Sequence, residues 1–270
     1  MGKVIILAGQ GELPSIIIKN LLKKKIDFYT LIFTKKKIPS LILKYKFKAI
    51  NFGKVVTELK KLRSLGFKDI LMAGSLNRPN LSEIKPDINS IKLIPPFAKR
   101  LLQGGDNNLL SFAIKEIEKM GFRIITLKTL LPECFLGFGN HTNNKISKTS
   151  HEDIKKGKLI LDNNSKFDIG QSIVVQEGNI IGIEAIQGTD NLIKYSSKFF
   201  KNGIKPTLIK LVKIKQDLRV DLPTIGMTTV KNCKNHFFGG IAFSANDTVF
   251  INSEKIVKYC DSNKLFLLGI

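Results

Sequence analysis

Asp221 stands where this chain otherwise avoids charge. In the tract QDLRVDLPTIG, residues 216–226, it follows Val220 and precedes Leu222-Pro223, with Arg219 two positions back and a Thr-Ile-Gly turn after it. A carboxylate in apolar, Pro/Gly-punctuated chain needs a cation, a hydrogen-bond network or a metal as partner. The pattern predicts an acid at a strand-to-loop junction, aimed into a cleft, and makes Asp221 the catalytic candidate. Arg219, in a chain that uses Lys for most of its cations, suggests planar recognition of phosphate or carboxylate, as does Arg78. Ordinary surface arginine is the bland reading of both.

A second rich stretch is FDIGQSIVVQEGNIIGIEAIQGTD, residues 167–190. Glu184 lies between Ile183 and Ala185 in an otherwise apolar strand, so it either faces solvent on an edge or enters a site. Thr189 and Asp190 read as a loop running into a helix, where capping alone would account for the acid. Asp168 and Gln171, beside Gly170, enter a hairpin. Near the start, Gly9 and Gly11 separate a strand from a helix that opens with Pro14, a geometry suited to close backbone approach by a ligand. This is not a dinucleotide fingerprint, because Pro occupies position 14 and no acid about twenty residues on closes a second strand. Gly139–Thr142 reads GNHT, but the chain has three histidines and none follows an Asp at the offset a two-metal phosphoesterase needs. The three cysteines, Cys134, Cys233 and Cys260, form no CxxC pair and read as neutral buried thiols.

The elements that must position these residues fall into two patterns. The first half alternates strand and helix: strands at 3–8, 28–33, 69–73 and 122–127, helices after Pro14, over 54–65 and from Asp106. Such repetition builds a doubly wound sheet with ligands beyond the carboxyl ends of its strands. Residues 136–158 turn polar and read as a linker. Beyond them come a hairpin over 172–186, a helix from about 190, a strand near 208–214, the acid tract, and then helices and short strands to the end. The fold class expected is α/β, with domains at 1–135 and 159–270, the second a mixed α+β domain.

The net charge of +22 invites a nucleic-acid reading, but only five of the 44 basic residues are Arg, and no basic stripe is interleaved with aromatics. No nucleic-acid partner is expected; weak attraction to an anionic membrane surface needs only clustered Lys. No apolar run approaches the roughly 18 residues of a membrane span, and the short apolar start does not suit a signal peptide, so a cytoplasmic protein is expected.

Seven blocks, AGQGELP (8–14), FGK (52–54), AGSLNRP (73–79), GDNNLL (105–110), DIGQSIVVQEG (168–178), IEAIQGTD (183–190) and QDLRVDLPTIG (216–226), together resemble the UDP-2,3-diacylglucosamine pyrophosphatases of the LpxI type, in family order and across essentially the whole chain. The polar GFGNHTNN stretch and the Lys excess depart from the family pattern. The resemblance implies an N-terminal Rossmann-like domain and a Mg²⁺-dependent cytoplasmic enzyme of lipid A synthesis, peripheral at the inner face of the inner membrane. It implies hydrolysis of UDP-2,3-diacylglucosamine to UMP and the diacylated sugar 1-phosphate, with water attacking the α-phosphorus. It places the family's essential aspartate on Asp221. On that basis Asp221, Glu184 and Asp190 are the expected ligands of Mg²⁺ or another divalent cation. Gly9, Gly11, Asn77, Arg78, Asp106, Gln171, Thr189 and Arg219 are the expected substrate contacts. A homodimer is compatible with this reading, and the alternative is a non-catalytic nucleotide-sugar-binding protein.

Overall fold

The computed structural model describes residues 2–33, 38–76, 84–103, 106–214 and 216–270, without the side chains of residues 103, 106 and 107. Asn77 and Arg78, expected as substrate contacts, lie outside the described residues, as does the side chain of Asp106. The chain divides into two compact units, Met1–Leu131 and Pro132–Ile270.

The first unit runs β1 (Val4–Ala8), α1 (Leu13–Lys23), β2 (Phe28–Ile32), α2 (Ser40–Leu43), β3 (Phe47–Ala49), α3 (Val55–Ser64), β4 (Asp69–Ala73), α4 (Ile94–Gln103), α5 (Asp106–Lys119), β5 (Arg123–Ile124) and α6 (Leu127–Leu130). Its five strands are all parallel in the order β3-β2-β1-β4-β5. Every residue of β1 is buried, as a strand covered on both faces requires, and this is why its sequence is a continuous apolar run rather than an alternation. The chain winds from β1 to one side and returns to the other through β4, so the order reverses between those two strands. The expected strand over 122–127 is shorter: only Arg123–Ile124 pairs, because the Thr126 hydroxyl accepts the Thr129 N–H and starts α6 there.

The second unit runs β6 (Gly139–Asn140), α7 (Lys148–Asn164), β7 (Ser172–Gln176), β8 (Asn179–Ile183), α8 (Gly188–Ser196), β9 (Thr207–Lys210), β10 (Thr224–Ile225), α9 (Met227–Asn235), β11 (Gly240–Phe243), β12 (Val249–Phe250), α10 (Ser253–Ser262) and β13 (Phe266–Gly269). Six of its strands form one sheet in the order β6-β13-β11-β9-β7-β8, in which β13, β11 and β9 are parallel and the β7–β8 hairpin and β6 run antiparallel. Alternate residues face opposite sides. Leu208, Ile241 and Leu267 pack with Ile193, Val230 and Ile256 of α8, α9 and α10. Ile209, Ala242 and Phe266 pack with Ile154 and Leu161 of α7. The fold class is thus α/β in the first unit and mixed in the second.

The stretch expected as a linker, 136–158, belongs to the second unit. Gly139 and Asn140 pair with Gly269 and Leu268, and α7, opened by the Ser147 cap, begins at Lys148. Some of its polar residues tie it to the rest of the unit. The Asn144 amide donates to the carbonyls of Cys260 and Leu265, and Asn143 binds the Asp261 carboxylate through both its backbone and its side-chain nitrogen.

Gly9 follows β1 and holds the end of that strand to β4. Its N–H donates to Ala73 O, and Gln10 and Ser75 exchange backbone hydrogen bonds next to it. A Cβ at Gly9 would lie 2.3 Å from the Ser75 carbonyl oxygen. Since backbone cannot swing aside as a side-chain tip can, Gly9→Ala is expected to destabilise the protein by about 2 kcal/mol. Urea denaturation followed by circular dichroism checks this: the midpoint falls, whereas an unchanged midpoint would contradict so close an approach.

Candidate functional site

Gln171, Glu184, Thr189 and Asp168 meet the carboxyl end of β9 or the tract that follows it. Lys210 ends that strand, and Leu211 N–H donates to Gln171 O, which brings the entry of the β7–β8 hairpin alongside. The chain then leaves the sheet as the acid tract. Val212 N–H is caught by the hydroxyl of Ser244, just past β11, so the tract starts between two central strands.

Two turns shape it. In the first, Lys213 N–H donates to Gln216 Oε1 at 2.9 Å while Gln216 N–H returns to Lys213 O. In the second, Asp217 Oδ1 accepts the Arg219 backbone N–H at 3.1 Å, an Asx turn, and the Val220 and Asp221 N–H groups both donate to Asp217 O. These bonds put Asp221 just after a compact loop and before Pro223, whose carbonyl receives the Val249 N–H as β10 joins β12.

Asp221 is half-buried, and its Oδ2 accepts a hydrogen bond of 2.5 Å from the amide nitrogen of Gln216. Gln216 is 8% exposed. The Arg219 guanidinium grips Asp217 through Nε and Nη2, at 2.9 and 2.7 Å, and this pairing holds the Asp217 carboxyl below the usual carboxylate range against the opposing pull of burial. Arg219 is therefore a substrate contact only with its fork already oriented by Asp217. Lys213 forms an ion pair with Asp168, a residue in the left-handed region at φ 51°.

Beneath the tract lies a closed charge cluster. The Lys210 ammonium, on a residue 6% exposed, donates to Thr189 Oγ1 at 2.6 Å, and the Thr189 hydroxyl donates to Glu184 Oε1 at 2.7 Å. Gln171 N–H donates to Glu184 Oε2 at 3.3 Å. Burial by itself would raise the Glu184 pKa. The Lys210 charge and the hydrogen bonds from Ser172, Thr189 and Gln171 outweigh it and hold the carboxyl below its ordinary value. Burial pulls the Lys210 pKa down, with the charges of Glu184 and Asp190 opposing it. Asp190, in the first turn of α8, accepts the Thr229 hydroxyl from α9 at 3.0 Å.

The expected metal ligands differ in what already occupies them. Among the described residues no group of three or more His, Cys, Asp and Glu is disposed to hold an ion. Glu184 already has its countercharge in Lys210, and Asp190 braces two helices. Asp221 is different. Its described hydrogen bond falls on Oδ2, and Mg²⁺ is ordinarily held by one or two carboxylates completed by substrate phosphate and water. The donor set fits that ion at Asp221 and not at Glu184.

Of the expected substrate contacts, Gln171 keeps a buried side-chain oxygen with no hydrogen-bond partner among the described residues. The Thr189 hydroxyl is spent on Lys210 and Glu184. In the first unit Gly9 is accounted for by its close approach to Ser75, whereas Gly11, at φ 101°, has nothing among the described residues within 4 Å of where a Cβ would stand. The cysteines supply no nucleophile: all three are buried, and burial, with Glu133 and Asp261 adding to it, pushes Cys134 up to about 11 and Cys260 up to about 12. Gln216, Asp217 and Lys210 are the residues that sequence reasoning passed over. The Asp-x-Arg spacing at 217–219 was the available signal for the Asx turn. Nothing local marked Lys210 among so many lysines.

Two family models divide the chain between them. The LpxI N-terminal domain matches residues 3–134 and the LpxI C-terminal domain residues 138–268. The curated UDP-2,3-diacylglucosamine pyrophosphatase LpxI of Caulobacter vibrioides is 30% identical over 227 residues, covering 82% of this chain and 79% of that protein. The chain belongs to the LpxI family. Among the described residues no helix is long and apolar enough to cross a membrane.

Removing the Glu184 charge strands a buried ammonium, so Glu184→Gln is expected to lower stability by roughly 3 kcal/mol. Its pH dependence has a definite sign. A carboxyl whose folded pKa is depressed stabilises above its unfolded value and loses that contribution as pH falls through the folded one. Wild type should therefore weaken on acidification below about 4.5, and the variant should lose part of that acid limb. Denaturant titrations at pH 7 and over the acid range measure both effects; equal stabilities at pH 7 would remove Glu184 and Lys210 as a coupled pair.

Proposed function

We propose that the chain hydrolyses UDP-2,3-diacylglucosamine to UMP and 2,3-diacylglucosamine 1-phosphate, a step of lipid A synthesis, with Asp221 as the catalytic carboxylate and Mg²⁺ as the cofactor. The printed name of the Caulobacter relative supplies the substrate and reaction class. The observation that carries the site is Asp221 itself: a half-buried acid held on one oxygen by a buried amide, in the loop that leads from the central strand β9 to β10.

The chemistry follows from charge. The pyrophosphate carries two negative charges that repel an incoming oxygen nucleophile, so attack at phosphorus needs that charge offset and the reactants held in line. Bound Mg²⁺ would supply the offset as a Lewis acid shared with the phosphate oxygens. Asp221 Oδ1 would be the protein's ligand for it. Water attacks the α-phosphorus, the bond from that phosphorus to the bridging oxygen breaks, and the bridging oxygen leaves with the sugar phosphate. Arg219, oriented by Asp217, lies two residues from Asp221 and is suited to a phosphate oxygen. The orphaned Gln171 oxygen is suited to a sugar hydroxyl or a base N–H. Each buried acyl methylene adds about 0.8 kcal/mol, so even partial burial of two chains dominates substrate affinity.

Purified protein incubated with UDP-2,3-diacylglucosamine and Mg²⁺ should release UMP, and EDTA should stop the reaction. Asp221→Ala should lower the rate by at least 1000-fold, about 4 kcal/mol in the barrier, while leaving the circular dichroism spectrum and the apparent substrate affinity close to native. Substrate binding without UMP release by the wild type would favour a nucleotide-sugar-binding protein; near-native turnover by the alanine variant would move the catalytic role elsewhere.

A further inference from the structure

The acid tract contains a buried amide that the reaction chemistry leaves unused. Gln216 is 8% exposed, and both ends of its side chain are engaged. Oε1 accepts the backbone N–H of Lys213 at 2.9 Å, and Nε2 donates to Asp221 Oδ2 at 2.5 Å. A backbone N–H only donates and an ionised carboxylate only accepts, so the amide has a single orientation that satisfies both neighbours. The turn at 213–216 thereby fixes which end of Gln216 faces Asp221.

From this geometry we propose that Gln216 is the positioning residue of the Asp221 carboxylate, clamping Oδ2 so that Oδ1 is presented to the cation and substrate. The inference rests on the assignment of Asp221 to the reaction. A half-buried aspartate in a loop can populate more than one χ1 well, and a cation ligand or water-orienting oxygen displaced by about 1 Å loses much of its effect. Groups that orient a metal-binding carboxylate typically change affinity or activity by 10–100-fold when removed.

Gln216 also closes a turn, so the test must separate holding the loop from aiming the carboxylate. Gln216→Glu is nearly isosteric and keeps an oxygen for the Lys213 N–H, but it replaces the donor facing Asp221 with a second carboxylate. Gln216→Met keeps the volume and loses both bonds. Measured at pH 8.5, both variants should reduce kcat for UMP release by about 10–100-fold with KM changed less than about threefold. A residue that only closes the turn would leave Gln216→Glu near wild type and damage Gln216→Met alone. Crystal structures of the two variants supply a readout independent of turnover: Asp221 χ1 should shift or split into two conformers in both. Thermal denaturation identifies a variant that fails to fold, and either variant carries the test alone.

Native kcat in Gln216→Glu together with an unmoved Asp221 side chain would overturn the proposal. If Asp221→Ala is inactive while Gln216→Glu is native, the positioning role fails and the catalytic assignment survives. If Asp221→Ala stays active, the catalytic assignment fails, and the Asp221 conformers alone decide what Gln216 does.

Discussion

Burying the Lys210 ammonium is the constraint around which the second unit is organised. An ammonium at the carboxyl end of a central strand, 6% exposed, is tolerable only with anionic charge close by and hydrogen bonds to its protons. Thr189 supplies the bond and Glu184 the charge, and each belongs to a different element. Glu184 follows β8 and takes the Gln171 N–H at the mouth of the hairpin. Asp190, on the same turn of α8 as Thr189, holds Thr229 of α9. Lys210 with its Thr189 and Glu184 partners links the hairpin, a central strand and α8, and Asp190 extends the floor so formed to α9.

The acid tract is built on that floor with a different logic. Its hydrogen bonds are short in sequence, running from 213 to 216, from 217 to 219 through 221, and from 216 to 221. Local turns of this kind form without long-range contacts to hold them, whereas their placement depends on where β9 and β11 end. Ser244 beyond β11 and Gln171 before β7 fasten the start of the tract, and the β10–β12 pair fastens its exit. A carboxylate held this way has a defined direction although it lies in a loop, as the proposed role of Asp221 requires.

Much of the first unit was legible in the sequence, because its central strands β1, β2 and β4 are largely buried and announce themselves as apolar runs, β4 at the expected residues 69–73; the exposed edge strand β3 carried no such signal. Legibility fell where polar side chains do backbone work. Residues 136–158 read as a connector, since Asn, Ser and Thr usually face water, yet here Asn143 and Asn144 serve Asp261 and buried carbonyls. β11 went unseen for a related reason. Gly239 and Gly240 look like a loop, but a Cβ at Gly240 would lie 2.3 Å from the Phe266 ring, so glycine is what lets this central strand lie beside β13.

The sequence by itself determined the kind of fold, because apolar periodicity is a local property of the chain, and an out-of-place charge singled out Asp221 as a candidate. It could not tell Glu184 from Asp221: each is a carboxylate in apolar surroundings, and both were expected to hold a metal. The tertiary structure separated them by bringing Lys210 of β9 to Glu184, whereas the Gln216 amide reaches Asp221 through a local turn. The physical reason is that a buried charge takes its character from its nearest countercharge, and residues 26 positions apart in sequence become neighbours only when the sheet forms.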